Sequence, residues 1–157
     1  MSINNLYFIK IFMISYQSGA GQILICDFVN NIGNEINKKR PVIAFTAPTV
    51  QLRKSKLCHV IPLSTTEPEV IKDYHYKLTN LPKLPPPYLK NECWAKCDLV
   101  YTVSYERLST PYFGKGPNGK RNYTPLFINR DDLLQIRKCI MRGLQFKTDL
   151  QIFEINI

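Results

Sequence analysis

Apolar residues in this chain fall in short runs broken by polar or proline-rich stretches, the rhythm of strands rather than of long helices. Gln22 to Phe28 (QILICDF) reads as a first strand, followed by a polar loop from Val29 to Lys39 with Gly33 and two lysines. Pro41 to Thr46 (PVIAFT) and Leu57 to Leu63 (LCHVIPL) are the next apolar runs, and β-branched residues recur in each. Tyr74 to Leu78 alternates aromatic and polar positions, as a half-buried strand does. Glu92 to Ser104 returns to strand character with Trp94, Leu99, Val100 and Val103. Between them, LPKLPPPY at 81–88 holds four prolines, which exclude a helix or a central strand and predict a long surface loop.

One helix stands out near the end. Asn129 is a fair N-cap, and Asp131 and Asp132 follow where the helix dipole favours acids. Leu133, Ile136, Ile140 and Leu144 then share one face. Residues 150–157 (LQIFEINI) can add a last strand. Several short strands followed by one amphipathic helix predict a mainly β (α+β) fold, a small barrel or twisted sheet capped by a helix. The expected organisation is an N-terminal tail over residues 1–18 and a single domain over 19–157, with no internal repeat. A chain of 157 residues suits one domain and buries roughly 70% of its unfolded surface.

Composition narrows the function. Lys and Arg number 21 against 12 Asp and Glu, and a net charge of +9 attracts polyanions. No stretch approaches the roughly 20 apolar residues of a membrane span. The opening MSINNLYFIKIFMIS makes a poor signal peptide because Lys10 splits its apolar run, and Met13 is a nearer candidate start. Five cysteines without a secretory signal point to free thiols in a reducing compartment. Cys93 and Cys97 have no second pair, and His59 and His75 lack ligand spacing, so no metal site is expected. GKGPNGK at 114–120 lacks Walker spacing and reads as a basic turn. No Gly-x-Ser-x-Gly elbow is present.

One ordered set of residues carries chemistry. Glu35 and Arg40 flank the end of the first loop in GNEINKKRPVIAF. Ser64, Thr65 and Thr66 end the third run in VIPLSTTEP, and Lys96 and Asp98 lie in WAKCDLVYTVS. Arg40 is a planar, permanently charged donor able to hold two phosphate oxygens, and a poor base. Ser64 and Thr65 can orient a phosphate through their hydroxyls, and Glu35 or Asp98 can accept a proton. Lys38, Lys39 and Lys96, with Arg53, Lys54 and Lys56 beyond, can track a nucleic-acid backbone. Phe28, Tyr74, Tyr76 and Trp94 can stack bases or serve as core.

In order and spacing, these residues resemble the PemK/MazF family of toxins. The frame is a strand opening with Gly and ending in Asp27-Phe28, a Gly-x-Glu loop and Arg40-Pro41. It continues with the PLST run at 62–65, the Lys96-Cys97-Asp98 triplet and a terminal helix. It spans about residues 19–146, and the PLSTT and YTVSYERL forms look like a longer PemK-like branch. The resemblance implies a Src-homology-3-like barrel acting as a homodimer in the bacterial cytoplasm. It also implies metal-independent and cofactor-free cleavage of single-stranded RNA (mRNA) by attack of the RNA's own 2′-hydroxyl. A cognate antitoxin, acidic and partly disordered, would mask the groove, and any DNA binding would pass through that antitoxin. Asn34 stands where some members carry His, Lys96 where some carry Arg, and Leu99 where a polar residue is common. Two other readings stay open: a non-catalytic gyrase poison like the CcdB family, and a catalytically decayed barrel that only binds nucleic acid or antitoxin.

Overall fold

The computed structural model describes residues 19–146, so the N-terminal tail and the strand expected at 150–157 lie outside the described residues. Among the described residues, ten strands and two α-helices follow one another. β1 is Gln22–Asp27, β2 Lys39–Ala44, α1 Val50–Ser55, β3 Leu57–Ser64, β4 His75–Leu78 and β5 Cys93–Lys96. β6 is Tyr101–Ser104, β7 Leu108–Ser109, β8 Tyr112–Lys115, β9 Arg121–Tyr123, β10 Leu126–Phe127 and α2 Arg130–Gly143.

The sheet is antiparallel and curls because β3 changes partners along its length. Its first half pairs with β6 (Leu57↔Ser104 to Val60↔Tyr101), its middle with β2 (Val42↔Pro62, Ile43↔Ile61), and its end with β5 (Leu63↔Ala95, Ser64↔Trp94). β1 pairs with β2, β7 and β10. The ladder therefore runs β7-β1-β2-β3-β6, and a 3-10 turn at Tyr105–Arg107 joins β6 to β7 through the chain. The circuit is that of the small barrel with a C-terminal helix expected from the sequence.

Period-2 alternation sorts side chains into two cores on opposite faces of one sheet. Leu24, Cys26, Phe28, Val42, Ala44, Val60, Val103, Tyr105 and Leu108 fill the inside of the circuit. Ile23, Ile43, Ile61, Leu63, Leu78 and Ala95 face outward, where α2 covers them with Ile136, Cys139 and Ile140. Gly21 sits at φ +88°, a left-handed conformation that favours glycine. From there its N–H donates to the Ala44 carbonyl at 2.7 Å and its carbonyl accepts from Ile128 at 3.0 Å, tying β1, β2 and the helix entry together.

Asn129 caps α2 as expected: its Oδ1 accepts the Asp132 N–H at 2.7 Å. The buried face differs from the expected one. Cys139 joins Ile136 and Ile140 under the sheet, while Leu144 lies at the C-cap and is 46% exposed. The proline segment is not merely a surface loop either. Leu81 and Leu84 turn inward and join the outer core, because apolar side chains beside the sheet edge gain more from burial than from water. The segment 114–120 is the turn of a separate two-stranded hairpin, β8–β9.

Candidate active site

The change of partner along β3 opens the site. β2 stays with β1 through Pro41 (Ile25↔Pro41) and Lys39 (Asp27↔Lys39), while β3 leaves β2 after Pro62 and crosses to β5. Pro41 and Pro62 both lack an N–H, so the β2–β3 ladder ends where they stand. Between the diverging strands lies a cleft of about 270 Å³. Lys38, Lys39, Arg40 and Pro41 line it from the start of β2 and the residue before it, Leu63, Ser64 and Thr65 from the end of β3 and the residue after it, and Leu81, Leu84, Pro87, Tyr88 and Lys90 from the proline segment and the residues beyond it.

Arg40 is half-buried, and its Nε is buried with no hydrogen-bond acceptor. A charged donor left unpaired costs free energy that an anion in the cleft would return. Ser64 is only 5% exposed. Its Oγ accepts the Thr66 N–H at 3.2 Å, and its own proton meets only the Thr66 carbonyl, at a long 3.5 Å. The hydroxyl is thus held in place with its proton available for a better acceptor. The lining carries four cations (Lys38, Lys39, Arg40, Lys90) and no carboxylate. Asp27, the nearby acid, pairs with Lys39 at 3.5 Å, an exposed contact of little net energy. The Cys93 thiol at the cleft is pushed up to about 12 by burial, so it stays a neutral thiol rather than a nucleophile.

The loop before β2 is braced locally. The Asp27 carboxylate accepts the Val29 N–H at 3.0 Å, Asn37 Oδ1 accepts the Asn30 N–H at 2.9 Å, and Arg107 donates to the Asp27 carbonyl at 3.0 Å. Glu35 belongs to this bracing: its carboxylate accepts the Ile32 N–H at 3.3 Å. It is exposed and stands on the loop that delivers Lys38, outside the cleft lining.

The structure separates the rest of the expected set. Asp98 is exposed and lines another cavity, of about 510 Å³, with Asp73, Tyr74, Arg142, Gly143 and Gln145. The turn after β5 carries it to the C-terminal end of α2 instead of to Arg40. Lys96 ends β5 opposite His75 and does not line the cleft. Phe28 is a correction: it is 1% exposed and packs against Tyr101 with centroids 5.0 Å apart, so its ring fills the inner core and offers no face to a base. Tyr76 and Trp94 are also engaged, Tyr76 donating to Asp132 at 2.7 Å and Trp94 buried. Arg53 and Lys54 lie on α1, away from the cleft.

Sequence reasoning missed Tyr88 and Lys90. Burial raises the Tyr88 phenol above its ordinary value, against the pull of Arg40 and with the push of Asp27, so it stands as a neutral hydrogen-bond donor. The available signal was the company it keeps: an aromatic and two lysines (83 and 90) beside a run of prolines that stiffens the chain.

Comparison with known proteins places the chain in a family. The family described as PemK-like, MazF-like toxin of type II toxin-antitoxin system matches residues 20–142. The chain belongs to that family. None of the curated proteins compared matches it. Among solved structures it is similar to MazF (Form-I) from Deinococcus radiodurans, with a TM-score of 0.54, 15% identity, and coverage of 83% of this chain and 99% of that one. It is also similar to Mycobacterium tuberculosis toxin MazF-mt6, with a TM-score of 0.48, 15% identity, and coverage of 79% and 96%. The first of these shows a shared fold. Among the described residues no helix is long and apolar enough to cross a membrane.

Proposed function

We propose that this toxin is a metal-independent endoribonuclease acting on single-stranded RNA, with its reaction in the Arg40–Ser64 cleft. The observation that carries the reading is the buried, acceptor-free Nε of Arg40, in a cleft whose charged lining residues are all cations. Such a donor suits a phosphate that gains negative charge as the neighbouring 2′-hydroxyl attacks it. Arg40 stabilises that charge, Ser64 and Thr65 donate to the phosphate oxygens, and Lys38 and Lys39 draw in the backbone. Tyr88, held neutral, is a further donor and the group best suited to protonate the departing 5′-oxygen. Of the two carboxylates, Glu35 is favoured as proton acceptor over Asp98, since it shares the loop that carries Lys38 to Arg40. An acidic, partly disordered antitoxin covering the same cations, a homodimer and a cytoplasmic setting belong to this reading.

The test is cleavage of a long single-stranded RNA by the purified protein in excess EDTA, beside Arg40→Ala. Wild type should leave cyclic phosphate and 5′-hydroxyl ends, and Arg40→Ala should cut at a rate lower by on the order of 10²–10³-fold. A folded wild type that cuts no RNA of varied sequence would return the case to the gyrase-poison and binding-only readings.

A further inference from the structure

Next to the cleft lies a second depression of about 600 Å³ that the proposed chemistry does not use. Its walls include Lys39, Tyr88, Tyr112, Lys115, Arg121 and Tyr123. Lys39 and Tyr88 also line the cleft, so the two hollows adjoin at these residues. No carboxylate lines the second hollow.

The β8–β9 hairpin that forms its far side has an unusual construction. Among the described residues it pairs with no other strand, and a lone two-stranded ribbon is marginal in water. Lys115 nevertheless stands directly across from Arg121 in the ladder. Like charges directly across a ladder repel each other, and a phosphate set between them relieves that repulsion. Tyr112 stands across from Tyr123 with ring centroids 5.3 Å apart, and Tyr112 is 42% exposed. Aromatic faces alternating with cations are what an unpaired nucleic-acid strand requires: phosphates follow the charges and bases stack on the rings. A duplex cannot use the rings, because its bases are already stacked on one another. Ser109 and Thr110 add hydroxyls to the wall, suited to ribose 2′-hydroxyls.

We propose that the β8–β9 hairpin, together with Lys39 and Tyr88, seats the single-stranded RNA that flanks the scissile phosphate, with bases on Tyr112 and Tyr123 and phosphates on Lys115 and Arg121. The assignment rests on the ribonuclease reading of the adjoining cleft. It makes the hairpin a clamp for unpaired sequence, so RNA whose flank is locked in a duplex should bind worse than the same sequence left single-stranded.

The probe is a set of short, labelled 2′-O-methyl RNAs of mixed sequence, which lack the attacking hydroxyl, with affinity read by fluorescence anisotropy. Tyr112→Ala with Tyr123→Ala should weaken binding by on the order of tenfold or more, and Tyr112→Phe with Tyr123→Phe should restore it. Lys115→Gln with Arg121→Gln should reduce the slope of log affinity against log salt by about 1.4, two phosphate contacts on a single strand. Hairpin variants that keep the wild-type circular dichroism and melting curve yet bind RNA like wild type would overturn the inference, whatever Arg40-dependent cleavage shows. Polyglutamate that binds as tightly as RNA and with the same dependence on the two tyrosines would also overturn it, making the face a seat for an acidic protein. Hairpin-dependent binding by a protein that cuts no RNA would support the clamp and remove the nuclease reading alone.

Discussion

Tyr76 and Asp132 illustrate how single side chains hold the molecule's layers together. The Tyr76 hydroxyl, on β4, donates at 2.7 Å to the carboxylate that also accepts from the Asn129 amide at the start of α2. Burial first, and then Asp132, pushes the phenol from its ordinary 10.0 up to about 12. The folded value lies above the unfolded one, so the stabilisation is fully present below pH 10 and is lost as pH rises through about 12. Urea denaturation at successive pH values should show wild type losing stability across that window more steeply than Tyr76→Phe. At the cleft, Arg40, Ser64, Thr65, Lys38 and Lys39 were legible because strand ends and the loop beside them are marked by local sequence. The core place of Phe28 was legible too, since it continues the alternation of Leu24 and Cys26 into the inner core. Tyr88 was only faintly legible, from the lysines and prolines around it, since its place depends on Leu81 and Leu84 folding inward, and no periodicity announces that.

The elements differ in how openly the chain declares them. β1, β2, β3 and α2 follow from apolar runs and a cap, and the structure has them within a few residues of expectation. α1 was missed because six residues with two apolar side chains, Val50 and Leu52, only two positions apart make no face; it rests on the Thr49 hydroxyl accepting the Leu52 N–H at 3.2 Å. The turn at 114–120 was evident while its strands were not, because two short ribbons of mixed polarity carry little signal. The seat of α2 depends on a contact invisible in sequence. At Gly143 an added Cβ would lie 3.0 Å from the Asp98 Cα and 3.1 Å from the Cys97 carbonyl oxygen, both backbone atoms that cannot step aside. Gly143→Ala should therefore destabilise the fold by about 1–3 kcal/mol in denaturant titration, the reverse of the gain alanine usually brings to a helix. The same close approach sets Asp98 at the end of α2 and not at the cleft, where its place in the ordered set with Arg40 and Ser64 had led it to be expected.

At the scale of the whole molecule, the expected barrel-and-helix architecture holds, and the cleft arises from its topology. No local motif encodes it: it exists because β3 serves three partners in turn and parts from β2 at two prolines. The cations collected there give the +9 of the chain a direction, toward one face of the cleft and the hollow beside it. The partners of that face belong to the proposed reading, and the site's electrostatics favour polyanions over neutral ligands.

The double core sets a hierarchy in time. β2 and the middle of β3 are covered on both faces, so their amides can reach solvent only when both layers come apart at once. Hydrogen–deuterium exchange should find Val42 to Ala44 and Val60 to Ile61 among the slowest amides, exchanging with the free energy of global unfolding. The β8–β9 hairpin, outside both layers, should exchange through local opening far sooner. A chain built this way keeps Arg40 at the end of its most persistent strand, and any protease that nicks the native protein should find the hairpin before it finds the cleft.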